Sequence, residues 1–290
     1  MIIRLPSTLG SIVLHYADKL NIPYIIEVVG CPYDTLSNYN WLGKIYAPFA
    51  RRKLRSNVKD AKFVQYVTKE YLQRKYPTNG CSVGVSDVVV EKVNDQILNN
   101  RVSRYSNGKQ LSSLHIATLG AVNVAYKGQD MVIKALAELK KRGINKFIYH
   151  IVGLGDQGRL KLLAKELGVE EYVVFDGAIP HEKVFQFLDG IDIYIQPSKT
   201  EGLPRALVEA MSRGCVCIGT NVGGIPELLD KKMIYLKDDL NALVKLLLYV
   251  DNNEVLSNYS QVCFRKAETF QFQVLEQTRL EFYHKFMSSL

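Results

Sequence analysis

Ser198-Lys199-Thr200-Glu201-Gly202-Leu203-Pro204-Arg205-Ala206-Leu207-Val208-Glu209-Ala210-Met211 follows, after Gln196 and Pro197, a largely apolar run over 191–195. The succession reads as strand, loop and helix. Pro204 suits the first helical position, where its missing N–H has no partner to lose. The free N–H groups of that first turn, together with the helix dipole, suit a phosphate. Gly202 lets the backbone approach a ligand closely. Glu201 stands in the loop ahead of the helix, and Glu209 lies about 7.5 Å further along the axis than Pro204. Two carboxylates so placed suit two vicinal hydroxyl pairs, one on a sugar and one on a ribose. The ordinary alternative makes Glu201 a helix cap and Glu209 a solvated side chain.

Working outward, β-branched runs over 115–119, 147–152, 172–175, 191–195, 216–219 and 233–236 alternate with helical stretches over 129–142, 158–167, 181–188, 204–213, 226–229 and 239–250. The runs are apolar without alternation, as in strands covered on both faces. Strands alternating with helices imply a parallel, doubly wound α/β sheet. Such sheets bind ligands at the carboxyl ends of their strands. Before residue 112 the same logic gives strands over 2–5, 24–29 and 63–67 and helices over 8–20, 41–57 and 68–75. Three strands fall short of the roughly five or six of a complete domain of this kind. A neighbouring part of that domain is therefore expected to lie outside the sequence. The polar, Asn- and Ser-rich stretch 91–110 is the expected linker. The expected units are an incomplete first domain with linker over 1–110, a second domain over 111–270, and a helix over 271–290 that packs back on the first.

The 290 residues are 47% hydrophobic and 23% charged, with a net charge of +8. No run of eighteen apolar residues implies a membrane-spanning helix. The first twenty residues, interrupted by His15 and Asp18, do not form a secretory signal. Five scattered cysteines suggest reduced thiols and a cytoplasmic protein. Cys215 and Cys217 lack the partners of a zinc site and suit core packing. The positive balance is compatible with nucleic acid, an anionic membrane or a phosphorylated small molecule. Arg51, Arg52, Lys53, Arg55, Lys59 and Lys62 follow Leu42, Ile45, Tyr46 and Phe49 at helical spacing. This is either the solvated basic end of a domain helix or, over residues 44–62, a peripheral contact with anionic lipid on the inner face of the cell membrane. Nucleic acid is disfavoured, because no aromatic stacking platform accompanies the cations.

The string around Glu201 and Glu209 resembles the E-x7-E signature of the group 1, or family 4, retaining glycosyltransferases, whose GT-B architecture has two Rossmann-like doubly wound parallel-sheet domains. Tyr126-Lys127-Gly128 resembles the family's Lys-Gly element. Ile151-Val152-Gly153-Leu154-Gly155-Asp156 resembles its second glycine loop, and Phe175-Asp176-Gly177-Ala178-Ile179-Pro180 the loop flanking the base. Gly223-Gly224-Ile225-Pro226-Glu227 resembles its Gly-Gly-x-Pro-Glu turn. The resemblance implies a nucleotide diphosphate sugar as donor, no cofactor and no metal. It implies a glycan or lipid-linked acceptor and a place in bacterial surface polysaccharide biosynthesis. By the same resemblance, Lys127 contacts the donor diphosphate and Glu201 the donor sugar, as the catalytic pair. Glu209 holds the ribose, and the backbone of Gly202, Leu203 and Pro204 holds sugar and phosphate. Gly120, Gly153, Gly155 and Ile179 complete the donor loops. Two positions depart from the pattern. Ala121 stands where the family has a second diphosphate-binding arginine, for which Arg205 is the candidate substitute. Val29 stands where a histidine is often found.

Two rival readings remain. Gly153-Leu154-Gly155-Asp156-Gln157-Gly158 is a literal G-x-G-x-x-G, with Asp176 where a ribose-binding acid would fall, as in an NAD-dependent oxidoreductase. That reading puts the motif on the second strand of its domain and leaves Lys127, Glu201 and Glu209 without a role. The other rival is a truncated nucleotide-sugar-binding chain without efficient transfer.

Overall fold

Two parallel sheets organise the computed structural model, which describes residues 1–90, 93–106 and 111–290. The first domain runs β1 (Ile2–Leu5), α1 (Thr8–Lys19), β2 (Ile25–Val28), α2 (Pro32–Ser37), α3 (Trp41–Lys59), β3 (Phe63–Tyr66), α4 (Tyr71–Lys75) and β4 (Cys81–Gly84), after which α5 (Asp95–Ser106) packs on the second domain. Its strands pair in the order β1-β2-β3-β4. Helix starts follow local chemistry: the side chains of Ser7 and Asn40 accept the N–H groups of Gly10 and Gly43 at 2.9 and 2.7 Å, satisfying donors that the first turn leaves free.

The second domain runs β5 (Leu114–Leu119), α6 (Gln129–Lys141), β6 (Phe147–Val152), α7 (Gly158–Glu166), β7 (Val173–Gly177), α8 (His181–Asp189), β8 (Ile193–Gln196), α9 (Arg205–Ser212), β9 (Val216–Thr220), α10 (Ile225–Leu228), β10 (Ile234–Tyr235), α11 (Leu240–Val250) and α12 (Asn253–Glu268). Its sheet has the order β10-β9-β8-β5-β6-β7. Separate apolar cores pack around the two sheets, which together form the α/β, GT-B-type pair of Rossmann-like domains. A last helix, α13 (Phe272–Met287), returns to the first domain. There Phe282 and Phe286 meet Phe63 edge-on at 5.7 and 5.3 Å between ring centroids. Where the chain passes between domains, Val90 and Gln271 form an isolated parallel bridge, and the Val90 N–H donates to the Phe270 carbonyl at 3.0 Å.

Three expectations need correction. The first sheet has four strands, not three. β4 lies at an edge, and Cys81 and Ser82 are exposed, so it lacks the apolar run that marks a covered strand. The stretch 91–110 is not simply a linker, because α5 occupies much of it. Leu98, Arg101 and Tyr105 give that helix a buried stripe, which its Asn- and Ser-rich composition conceals. Arg101 is almost wholly buried. It donates to the carbonyls of Arg213 and Leu188 at 2.8 and 2.9 Å and to that of Ile191, fastening α5 to the second domain. Residues 91, 92 and 107–110 of that stretch lie outside the described residues. Finally, Pro204 is the cap before α9 (φ −74°, ψ 114°), and the helix begins at Arg205.

Candidate active site

The chain adds β6 and β7 on one side of β5, then returns to place β8 on the other. Successive connections therefore diverge between β5 and β8, and a crevice opens at the carboxyl ends of those strands. Three loops meet there. The first follows β5 and carries Gly120, Ala121 and Lys127. The second follows β8 and carries Ser198, Glu201 and Gly202. The third follows β9 and carries Gly223 and Gly224.

Backbone hydrogen bonds lock these loops together. The Lys199 N–H donates to the Tyr126 carbonyl and the Gly224 N–H to the Gly202 carbonyl, each at 2.7 Å. Gly223 has φ +58°, and a Cβ there would collide with the Glu201 carbonyl. Only glycine accepts that conformation without strain. A Cβ on Gly153 would likewise collide with the Gly120 carbonyl, so the two glycine loops lie in direct contact.

Lys127 and Glu201 come together. The Lys127 stem passes over Gly120, and its Nζ lies 2.7 Å from Glu201 Oε1. The same carboxylate oxygen accepts from Ser198 Oγ at 2.7 Å and Gln196 Nε2 at 3.0 Å. Behind them the buried Tyr194 hydroxyl donates to Gln196 Oε1 at 3.0 Å. Burial pushes the Tyr194 phenol far above its ordinary pKa, so it stays a neutral donor. Sequence reasoning passed over Gln196, Ser198 and Tyr194. The available signal was Gln196, an amide closing an otherwise apolar strand.

Glu209 is buried on α9 and not solvated. Its Oε1 lies 3.3 Å from Nε2 of the exposed His181, a partner that the sequence did not suggest. Arg205 is exposed in the first turn of α9. Gly155 packs against Asn123. Ile179 is half-buried and precedes α8, which carries His181. Asp176, the acid of the dinucleotide reading, faces His150 at 3.1 Å. Among the described residues, no group of three or more His, Cys, Asp or Glu is placed to hold a metal ion, and no helix is long and apolar enough to cross a membrane. Cys215 and Cys217 are buried in the core.

The first domain closes over the second at this crevice. A Cβ on Gly202 would stand 2.9 Å from the Val29 carbonyl oxygen. Glu227, in α10 just after the turn that supports Gly202, reaches across the interface. Its carboxylate accepts the N–H groups of Lys69 at 2.6 Å, Glu70 at 3.1 Å and Tyr71 at 2.7 Å, capping the start of α4.

Comparisons with known proteins fit this geometry. Residues 101–261, more than half of the chain, match the family model described as glycosyl transferases group 1. Protein CapJ of Staphylococcus aureus is 34% identical over 262 residues, covering 89% of this chain and 63% of its own length. The putative colanic acid biosynthesis glycosyltransferase WcaL of Escherichia coli is 37% identical over 111 residues, covering 36% of this chain and 27% of its own. This chain thus spans less than two thirds of the length of either relative. Among solved structures, Anabaena HepE in complex with UDP superimposes with a TM-score of 0.72 at 15% identity, covering 100% of this chain and 79% of that one. The family match runs through every loop of the crevice, and on that ground this chain belongs to the group 1 glycosyl transferases.

Proposed function

We propose that the crevice between β5 and β8 binds a nucleotide diphosphate sugar, and that the protein transfers the sugar with retention, without a metal or other cofactor, to a glycan or lipid-linked acceptor in bacterial surface polysaccharide biosynthesis. The observation that carries this reading is the Lys127–Glu201 pair at the point where strand order diverges. In the pair the two charges neutralise each other. A donor replaces that contact with two of its own: diphosphate oxygens take the ammonium, and sugar hydroxyls take the carboxylate. Lys127 then stabilises the leaving group as charge builds on it. Gln196 and Ser198 keep the Glu201 carboxylate in place through the exchange. Glu209 trades His181 for the ribose hydroxyls. The UDP held by HepE and the colanic acid named for WcaL support the donor class and the pathway.

Retention needs the acceptor hydroxyl on the face that the phosphate leaves. In this reading the departing phosphate oxygen takes the acceptor proton, so holding the two substrates close supplies much of the rate. The first domain does the holding, through the Val29–Gly202 approach. Titration calorimetry with UDP, GDP and their monophosphates tests the donor site. The anomeric configuration of the product, read by NMR, tests the stereochemistry, and an inverted product would overturn the mechanism.

A further inference from the structure

The outer face of α3 has no use in the donor crevice. Its 19 residues contain six lysines and arginines and no acid. Gly43, Ala47, Leu54 and Val58 face inward and are buried. Trp41, Leu42, Ile45, Tyr46 and Phe49 face outward, each more than half exposed, with Tyr46 and Phe49 stacked at 6.4 Å between centroids. Arg51, Arg52, Lys53, Arg55 and Lys59 follow, all exposed. Large apolar side chains thus gather in the first half of the helix and cations in the second. A merely solvated face does not leave five such side chains uncovered in nine residues.

Charge decides between occupants. A second copy would carry the same six cations and no acid on this helix, and so would offer them no opposite charge. A bilayer with acidic head groups meets both halves: tryptophan, tyrosine and their apolar neighbours settle at head-group depth, and lysine and arginine meet lipid phosphates. We propose that α3 docks this chain on an anionic lipid bilayer, with residues 41–49 in the interface and residues 51–59 on the phosphates. Tyr46 and Lys53 also line a cleft of about 320 Å³ that Leu5 and Ser7 enter from the carboxyl end of β1. Val29, which follows β2 on the same sheet edge, touches Gly202. Docking therefore sets the acceptor side of the crevice beside the membrane, as a lipid-linked acceptor requires. That last step rests on the reading under Proposed function; the docking does not.

Trp41 is the single tryptophan of the chain, so its fluorescence reports this face directly. The test is titration with vesicles of phosphatidylcholine, alone or mixed with phosphatidylglycerol, without donor or acceptor. The expected result is a blue shift and co-flotation with the mixed vesicles only, weakening as salt rises. Arg51→Glu/Arg52→Glu/Lys53→Glu should lower that affinity by roughly a hundredfold, with an unchanged circular dichroism spectrum and melting temperature. Ile45→Ser/Phe49→Ser should weaken binding and keep its salt dependence. Absence of a shift with anionic vesicles at low salt would overturn the proposal. So would equal binding by the charge-reversed variant, or a lipid-free dimer that buries Trp41 and disappears in Ile45→Ser/Phe49→Ser.

Discussion

The Lys127 ammonium and the Glu201 carboxylate touch at 2.7 Å although 74 residues separate them in the chain. Each is held by its own support, the lysine stem over Gly120 and the carboxylate by Gln196 and Ser198. Glu201→Gln keeps the shape and removes the charge. Turnover is expected to fall strongly while nucleotide affinity stays close to wild type. Loss of UDP or GDP binding, with normal turnover at saturation, would contradict the placement of Glu201 at the sugar.

Lys127→Ala is expected to weaken nucleoside diphosphate by about 10- to 100-fold and the monophosphate much less, as for the loss of a charge-assisted contact. Titration of both nucleotides into both proteins measures the ratio. An unchanged ratio would move the diphosphate away from this lysine.

Glu209→Ala is expected to cost roughly 1–3 kcal/mol of nucleotide affinity, and 2′,3′-dideoxyribose nucleotides should bind the wild type about as poorly. Equal wild-type binding of ribose and dideoxyribose nucleotides would remove Glu209 from the ribose site.

How far the sequence reached depends on distance along the chain. The Glu201–Glu209 segment was legible because its strand end, loop and helix are consecutive residues. Gln196, Ser198 and His181 were not, because what matters is where their side chains converge. Ala121 and Val29 could be noted only as departures. β4 escaped because an edge strand need not be apolar. α5 escaped because Leu98, Arg101 and Tyr105 are thinly spread among polar residues, and a buried arginine does not look like core.

Glu227→Ala removes three charge-assisted hydrogen bonds between the domains. The expectation is a looser interface, seen as a larger radius of gyration in small-angle scattering and faster proteolysis near residue 70. The cost to closure is about 1–3 kcal/mol. Unaltered scattering would mean that the remaining contacts, the Phe63–Phe282–Phe286 cluster and the Val90–Gln271 bridge among them, hold the domains without Glu227.

His115 is partly buried, and burial together with the neighbouring His150, 3.0 Å away, lowers its pKa below 6.5. Its neutral form is favoured on folding, so the unfolded chain binds more protons as pH falls below 6.5. The associated stability is present above that pH and is lost on acidification toward the folded pKa. Melting temperatures of wild type and His115→Gln between pH 8 and pH 5 should show a steeper acid loss in the wild type. Parallel curves would assign the acid sensitivity elsewhere.

The Val90–Gln271 bridge ties together the two passages of the chain between domains. A body hung on one thread swings and spins; a body hung on two threads laced side by side keeps chiefly one rotation, about the lacing. Any opening of the crevice would thereby be reduced to the motion of a door. On the function proposed above, Gly202 and Val29 would separate and return along one arc, and each closure would bring acceptor and donor back to the same register. Cutting away the last helix would remove one of the two threads. The damage would appear as imprecise alignment at a site in which that helix places no residue.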